Sequence, residues 1–282
     1  MTSLPSAADS APASKPAFEP ALKFSANLSL LYRELPLIER FAAARSDGFA
    51  AAEIQVPYEI ASSELARAAS AAGLPIILIN APMGPDPRAP GMACRPEHRN
   101  AFRAALGRAA EYAAALGTPS INVLAGRAAP QEHEICLAQL IEHLTLAAEI
   151  FAPVGARALL EVVNPLDAPE YCVPSFDLAA RVLARTDPRV RLQFDVYHAA
   201  RLGLAPAAAF AAAQASVGHI QFADCPGRHE PGTGHVPFGE IFSAIARSGY
   251  AGWVGAEYHP SSERTTDSLE WLRARRPPSR RA

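Results

Sequence analysis

The sequence predicts an α/β fold, a closed (β/α)8 TIM barrel, from three observations. Short apolar or β-branched runs alternate with longer stretches of helical period that are rich in Ala, Leu and Arg. The short runs recur eight times, about 25–45 residues apart, as βαβ units require. No predicted strand is followed by a GxGxxG or P-loop pattern, which counts against the runner-up, a doubly wound open sheet.

The strand candidates are runs rich in Val, Ile, Leu and Phe that end at turn or loop residues. The first reads LKFSANL and the last reads GWVGAEY. Because each is separated from the next by a helical stretch, the strands are expected to be parallel and to close into a barrel. In chain order they are predicted at 22–28, 51–56, 75–81, 119–125, 157–163, 191–197, 218–224 and 252–258.

The helix candidates carry recognisable end signals. Ser175 is a predicted N-cap, because its hydroxyl can accept a hydrogen bond from the first helical turn. Glycines stand where several helices should stop, as left-handed C-caps do. These glycines are Gly48, Gly73, Gly117 and Gly249. The helices are predicted at 36–46, 62–72, 97–116, 131–151, 175–184 and 237–248.

Composition limits the domain count and the partners. Half of the 282 residues are hydrophobic, and α/β barrels run to about 250 residues as one unit, so residues 21–275 are predicted to form a single domain. The formal net charge is −2 with no basic stripe, so no nucleic-acid partner is expected. The arginines at the C-terminus predict a solvated basic tail at 276–282.

The N-terminal segment, the hydropathy and the cysteines indicate a cytoplasmic protein. Residues 1–20 are rich in Ala, Pro and Ser, lack the regions of a signal peptide, and are predicted to be a disordered leader. The sequence has no apolar run of about 20 residues, so no membrane partner is expected. The four cysteines form no CxxC pair, which indicates reduced thiols. The oligomeric state stays open, a homo-oligomer included.

Four consecutive predicted strands, the fifth to the eighth, end in a residue that can bind a metal. In a barrel these ends face one mouth, where active sites lie. Three carboxylates meeting there would repel one another unless a cation neutralised them. A lone acidic residue at a strand end is more often a solvated rim residue, but four in series favour a shared site for Mg²⁺ or Mn²⁺, which prefer oxygen ligands. The four are Glu161, Asp195, Gln221 and Glu257.

Five segments carry a resemblance to a known family. They are FSANLSLLY (24–32), FRAALGRAAEYAAALGTPSINVLAG (102–126), QFDVYHAAR (193–201), GHIQFADCPGRHEPGTG (218–234) and GYAGWVGAEYHP (249–260). With them the chain resembles the bacterial hydroxypyruvate isomerases, within the xylose isomerase-like TIM barrels. The resemblance covers about residues 22–272, and the segment 218–234 is its most specific part.

The resemblance implies a reaction and roles for the strand-end residues. It makes all four of them ligands of one divalent cation, and it makes Glu161 and Glu257 the acid/base pair. The expected reaction converts hydroxypyruvate, a small hydroxy-keto acid, to tartronate semialdehyde by proton transfer through an enediolate. The alternatives are a 2-oxo-tetronate-type sugar-acid isomerase and a ketose 3-epimerase. The remote alternatives are a zinc-dependent apurinic-site endonuclease and a non-catalytic protein that binds a metal or a sugar acid.

Three further residues are predicted to bind substrate. His198 lies three residues after Asp195, where related isomerases and epimerases place a substrate-contacting histidine. Arg228 is the candidate partner of the substrate carboxylate, because its planar fork suits one; the alternative is a loop arginine paired with Glu230. Asn164 either orients substrate or caps its own loop.

Overall fold

Eight parallel strands form the central barrel. The strands are β1 (Lys23–Asn27), β2 (Ala51–Ile54), β3 (Ile76–Asn80), β4 (Ser120–Asn122), β5 (Arg157–Glu161), β6 (Arg191–Asp195), β7 (Val217–Phe222) and β8 (Trp253–Ala256). They follow one another in chain order, and β8 pairs with β1 to close the sheet. The computed structural model describes residues 22–84 and 90–275. The predicted TIM barrel is confirmed, and the leader and the basic tail lie outside the described residues.

Helices surround the barrel between successive strands. They are α1 (Leu37–Asp47), α2 (Ser62–Ala72), α3 (Arg99–Leu116), α4 (His133–Phe151), α5 (Phe176–Leu183), α6 (Val196–Arg201), α7 (Pro206–Ala213), α8 (Phe238–Arg247) and α9 (Glu270–Arg273). The six predicted helices are present, with ends within two residues of the predicted bounds. Three of the described helices, α6, α7 and α9, are not among the predicted ones. The reason is clear for α7, which reads PAAAFAAA and has alanine on every face, so no apolar stripe marks it.

The predicted cap residues define the helix ends. Gly48, Gly73 and Gly117 are left-handed C-caps, a conformation in which a side chain would cost free energy. Ser175 caps α5, because its hydroxyl accepts a hydrogen bond of 3.3 Å from the backbone N–H of Leu178. These local signals depend on adjacent residues, which is why they can be read without the fold.

An aromatic cluster covers the outside of the barrel near the closure of β8 on β1. Phe24 of β1 and Phe222 of β7 both meet Trp271 of α9 edge to face, with ring centroids 5.2 and 5.0 Å apart. Phe242 of α8 packs against both phenylalanines at 5.4 and 5.3 Å. The C-terminal helix therefore seals the seam with apolar surface.

Part of the barrel interior is polar. TIM barrels usually fill this space with branched apolar side chains. Here Ser25, Glu53, Gln193 and His219 are all buried. Glu53 of β2 and His219 of β7 lie 2.9 Å apart although their strands are not neighbours, so the contact crosses the barrel interior. Buried polar side chains therefore lie directly below the strand ends.

Within residues 22–84 and 90–275, one helical segment reaches the length and apolar character of a membrane span. It is Pro130–Val154, which comprises α4 and its flanking turns and has a mean hydropathy of 1.5. Half of its most apolar window is buried in the protein, and Leu140, Leu144 and Phe151 are fully enclosed. A helix of the barrel wall needs this apolar surface, so its composition is explained by packing against the sheet.

Candidate active site and metal centre

The four predicted ligands lie at the carboxyl ends of four strands. Glu161 ends β5, Asp195 ends β6, Gln221 lies near the end of β7, and Glu257 follows β8. All four side chains are buried, none with more than 5 % of its surface exposed. Because parallel strands run in one direction, their carboxyl ends share one mouth of the barrel. The metal-binding role of these residues stays a prediction.

Two of the carboxylates and a histidine form the tightest group. Glu161, Asp195 and His198 each offer one ligand atom within 4.8 Å of the others. Asp195 caps α6, since Oδ1 accepts a hydrogen bond of 2.8 Å from the backbone N–H of Tyr197. Its other oxygen, Oδ2, is buried and has no hydrogen-bond partner within 22–84 and 90–275. An unpaired carboxylate oxygen in this position is suited to a cation.

Glu257 is held by amides from three strands. Its Oε1 accepts hydrogen bonds from Asn27 and Gln55, each at 2.9 Å, and from Gln221 at 3.1 Å. Its Oε2 accepts a hydrogen bond of 2.5 Å from Nη2 of Arg228. Glu257 is therefore fixed in place through Oε1, while Oε2 faces the guanidinium.

Arg228 reaches into the mouth from the loop after β7. Its Nη2 also lies 3.7 Å from Oδ2 of Asp195, and its guanidinium stacks 5.0 Å from the ring centroid of Tyr197. Its backbone is left-handed, with φ of 56°, an unfavourable conformation for a residue with a β-carbon. Backbone strain at a charged residue of the mouth is typical of a functional position. The alternative partner Glu230 instead accepts a hydrogen bond of 3.0 Å from the backbone N–H of Ser261.

A buried aspartate organises the loop that carries Arg228. Oδ1 of Asp224 accepts hydrogen bonds from the backbone N–H groups of Cys225 and Val236, and Oδ2 accepts from those of Gly232 and Gly234. A β-carbon at Gly234 would lie 2.0 Å from the carbonyl oxygen of Cys225, so glycine is required there. The GTG sequence thus serves the closure of this loop.

His198 and Asn164 meet behind the carboxylates. His198 is buried, and its Nδ1 lies 2.7 Å from Nδ2 of Asn164. Oδ1 of Asn164 accepts hydrogen bonds from the backbone N–H groups of Leu166 and Asp167. Of the two roles considered for Asn164, loop capping is present in the structure. Substrate contacts of His198, Arg228 and Asn164 stay predictions.

A polar layer that the sequence analysis missed lies under the mouth. Glu53 accepts hydrogen bonds from Ser25 at 2.6 Å and from Nε2 of Gln221 at 2.8 Å, besides its contact with His219. Burial alone would raise the pKa of Glu53, but His219 and the hydrogen bonds hold it below its ordinary value. The sequence feature that points to this layer is Glu53, an acidic residue within the apolar run AAEIQV.

The amide of Gln221 is shared between this layer and the mouth. Its Nε2 faces Glu53 and Glu257, whereas its Oε1 accepts a hydrogen bond of 2.5 Å from Gln193. A metal bond from Gln221 requires that oxygen, which in this orientation faces Gln193. The structure therefore brings Gln221 to the site with its nitrogen, not its oxygen, toward Glu257.

The electrostatics of the mouth favour added positive charge. Burial, followed by repulsion from Glu257 and Asp195, raises the pKa of Glu161 to about 8. Burial also raises the pKa of Asp195, to about 7, although Arg228 opposes the shift. Burial and then Arg228 lower the pKa of His198 to about 3, so its imidazole is neutral near pH 7. A second cation beside Arg228 would allow both carboxyl groups to ionise.

The donor set fits a hard divalent cation. The unpaired Oδ2 of Asp195 and the nearby Oε1 of Glu161 supply oxygen atoms, and Oε2 of Glu257 would join them if Arg228 withdrew. Oxygen donors of this kind prefer Mg²⁺ or Mn²⁺ to zinc. One oxygen of Glu161 is already oriented, since Oε2 accepts a hydrogen bond of 2.8 Å from Asn122.

Comparison with known proteins gives concordant matches. A family model described as xylose isomerase-like TIM barrel matches residues 41–275. A 2-oxo-tetronate isomerase from Cupriavidus necator is 37% identical over 254 residues, which are 89% of this chain and 97% of that protein. A hydroxypyruvate isomerase from Escherichia coli is 34% identical over 254 residues, which are 89% of this chain and 98% of that protein.

A solved structure also matches this chain in its fold. It is a crystal structure named as an AP endonuclease, family 2, from Brucella melitensis. It superposes with a TM-score of 0.85 at 30% sequence identity and covers 91% of this chain and all of that one.

Proposed function

The chain belongs to the xylose isomerase-like TIM barrel family, and on that premise we propose that it interconverts hydroxypyruvate and tartronate semialdehyde with one Mg²⁺ or Mn²⁺. The observation that carries the proposal is the pair of buried glutamates, Glu161 and Glu257, at one mouth with Asp195 on the strand after Glu161. Two carboxylates flanking a substrate can move a proton between its adjacent carbons.

The protein is an enzyme with isomerase activity. Its relatives, which match about nine-tenths of this chain, are named as isomerases. The proposed step begins when one glutamate removes a proton from C3 of hydroxypyruvate, which leaves an enediolate over C2 and C3. A proton is then delivered to C2 while the C3 hydroxyl loses its own proton to O2, so the products balance. The bound cation supplies Lewis-acid polarisation of the substrate oxygens.

The side chains around the glutamates determine their availability. Asn122 holds Glu161 through Oε2, and Nε2 of His198 lies 3.9 Å from Oε1, beyond hydrogen-bond distance. Oε2 of Glu257 is paired with Arg228, and this ion pair must separate before Oε2 can reach the substrate. A substrate carboxylate that pairs with Arg228 would weaken the ion pair between Arg228 and Glu257. Binding of an acidic substrate would therefore free Glu257 to act as the base.

A second substrate is favoured by one observation. The relative from Cupriavidus necator, at 37% identity, is named as a 2-oxo-tetronate isomerase, so a four-carbon acid is the alternative substrate. The ketose 3-epimerase reading lacks a role for a substrate carboxylate. The endonuclease and non-catalytic readings remain remote, because the net charge is −2 and both glutamates are buried at the mouth.

The proposal is tested with a substrate panel in heavy water. Purified enzyme with Mg²⁺ or Mn²⁺ is incubated with hydroxypyruvate, a 2-oxo-tetronate and a neutral ketose, and turnover and deuterium incorporation are followed by NMR. The Glu161→Gln and Glu257→Gln variants serve as matched controls. We expect the highest kcat/KM with hydroxypyruvate and incorporation at the reacting carbon. Turnover of the four-carbon acid alone would transfer the assignment to that substrate, and no exchange with any acid would refute it.

A further inference from the structure

The contacts of His198 determine which of its ring nitrogens carries the proton. Nδ1 lies 2.7 Å from Nδ2 of Asn164 and 3.4 Å from the backbone nitrogen of the same residue. A backbone N–H can only donate, and an amide NH₂ can only donate. Two donors facing one ring nitrogen require that nitrogen to accept, so Nδ1 carries no proton.

This argument depends on the orientation of the Asn164 amide, which its other contacts determine. Oδ1 accepts hydrogen bonds from the backbone N–H groups of Leu166, at 3.1 Å, and Asp167, at 3.0 Å. Nδ2 donates to Oδ2 of Asp167 at 3.0 Å. If the two ends of the amide were exchanged, NH₂ would face two backbone donors and the oxygen would face a carboxylate. That arrangement would lose three hydrogen bonds in a site where Asn164 is fully buried.

We propose that Asn164 is a positioning residue that locks His198 as the neutral tautomer with its proton on Nε2, so that His198 presents an N–H donor to the mouth. Nε2 lies 3.6 Å from Oδ2 of Asp195 and 3.9 Å from Oε1 of Glu161. Both separations exceed a hydrogen bond, so the donor is directed at the space between the carboxylates without being used by them.

The tautomer has two consequences for the site. A neutral imidazole with a protonated Nε2 has no lone pair there, so His198 is not a metal ligand although it lies in the tight group with Glu161 and Asp195. It is also unable to accept the substrate proton at Nε2. What it can do is donate a hydrogen bond to a substrate oxygen that gains negative charge. This last role rests on the proposed isomerisation, whereas the tautomer does not.

The test exchanges the donor for an acceptor while keeping the loop intact. In the double variant Asn164→Asp, Asp167→Asn, Oδ1 of residue 164 still caps the same backbone N–H groups, and the new amide at 167 can donate to the new carboxylate. Nδ1 of His198 then faces an acceptor. The single variant Asp167→Asn is the matched control, because it also alters the contact of Asp167 with Arg201 but keeps Asn164 in place.

The readout is ¹⁵N NMR of histidine-labelled, metal-free protein, with the His198 signals assigned by their loss in a His198→Gln variant. We expect a protonated Nε2 and a bare Nδ1 in the wild type and in Asp167→Asn, and a protonated Nδ1 in the double variant. A protonated Nδ1 in the wild type, or an unchanged spectrum in the double variant, would overturn the proposal. Because no substrate is present, this result is independent of whether the proposed reaction is correct.

A kinetic comparison then tests the role in catalysis. Relative to Asp167→Asn, the double variant should lose roughly ten- to a hundredfold in kcat/KM for hydroxypyruvate, the loss expected for one hydrogen bond to a charged oxygen. An altered tautomer with unchanged kcat/KM would refute the donor role of His198. Absence of turnover in the wild type, together with the expected spectra, would refute the proposed reaction and leave the tautomer assignment standing.

Discussion

Arg228 and Glu257 form a close ion pair across the mouth, with Nη2 of the arginine 2.5 Å from Oε2 of the glutamate. The guanidinium also lies 3.7 Å from Oδ2 of Asp195, so it balances part of the carboxylate charge. A metal ion and a substrate carboxylate would each compete with one side of this pair.

Replacing Glu257 by Gln should abolish most isomerisation and leave the barrel folded. Oε1 can still accept from Asn27 and Gln55, so the side chain keeps its place, but the base is lost. Acid–base catalysis contributes about 10²–10⁴-fold, and kcat should fall by that order. Steady-state kinetics measure the fall in kcat, and thermal unfolding is the control for the fold. A variant that retains more than about a tenth of wild-type kcat would contradict the catalytic role.

The barrel and most of its helices could be predicted from the sequence, because their signals are local. The C-cap glycines Gly48, Gly73 and Gly117 and the N-cap Ser175 act on adjacent residues, and the structure has each of them in its predicted role. The alternation of strand and helix candidates along the chain then leaves few topologies for a sheet of eight strands.

The site could be predicted only in part, because its partners are distant in sequence. The carboxyl ends of successive strands bring Glu161 and Asp195 together, as expected. No pattern in the sequence pairs Glu53 with His219, 166 residues away, or gives Arg228 its left-handed backbone. The direction of the Gln221 amide likewise depends on Gln193, which the strand register alone brings near.

Removing the metal should abolish activity and leave the barrel folded. Buried aromatic and aliphatic side chains form an extensive core, so folding does not depend on a metal as it does in a small zinc domain. After dialysis against EDTA, circular dichroism should be unchanged and turnover should be lost, and Mn²⁺ or Mg²⁺ should restore it. Full turnover in excess chelator would show that the strand-end carboxylates are not a required metal site.

The stability of the metal-free enzyme should fall as the pH rises through neutrality. The pKa of Glu161 is about 8 in the folded chain and about 4.3 in an unfolded one. A raised folded pKa contributes stability that is fully present below the unfolded pKa and is lost as the pH rises through the folded pKa, here from about 4.3 to about 8. The loss should be on the order of a few kcal/mol.

Urea unfolding between about pH 5 and about pH 8 measures this dependence. The Glu161→Gln variant lacks the titrating group and should show a flatter profile. Saturating Mn²⁺, which binds ionised carboxylates, should flatten the wild-type profile as well. Equal slopes for the wild type and Glu161→Gln would mean that Glu161 is not the group that titrates.

Gly255→Ala should disturb the polar layer that lies beneath the site. A β-carbon at Gly255 would lie 2.1 Å from Oε1 of Glu53, so the buried carboxylate would have to move away from Ser25 and His219. Overpacking of this kind costs about 1–3 kcal/mol of unfolding free energy. Gly107→Ala on α3 is the matched control, since a β-carbon there meets nothing within 4 Å and should be neutral or stabilising. Equal stability of the two variants would show that Glu53 can relax freely.

The selectivity for an acid should reside in Arg228. Hydroxypyruvate has three carbons and little apolar surface, so its carboxylate is the group that can supply strong, oriented binding. A charge-assisted contact is worth about 1.5–3 kcal/mol, or roughly ten- to a hundredfold in affinity. Tyr197 holds the guanidinium by stacking at 5.0 Å, and Nε has no hydrogen-bond partner in the part of the chain that the structure describes. Arg228 therefore retains donors for an incoming carboxylate.

Arg228→Ala should accordingly weaken hydroxypyruvate turnover by about ten- to a hundredfold in kcat/KM and affect a neutral ketose of similar size far less. The same variant should bind Mn²⁺ more tightly, because removal of the guanidinium leaves Oε2 of Glu257 and Oδ2 of Asp195 without their cationic neighbour. Kinetics on both substrates and calorimetric titration of the metal measure the two effects separately. Equal kinetic losses on the acid and the ketose would make Arg228 a structural loop residue. Weaker metal binding would show that its positive charge does not compete with the cation.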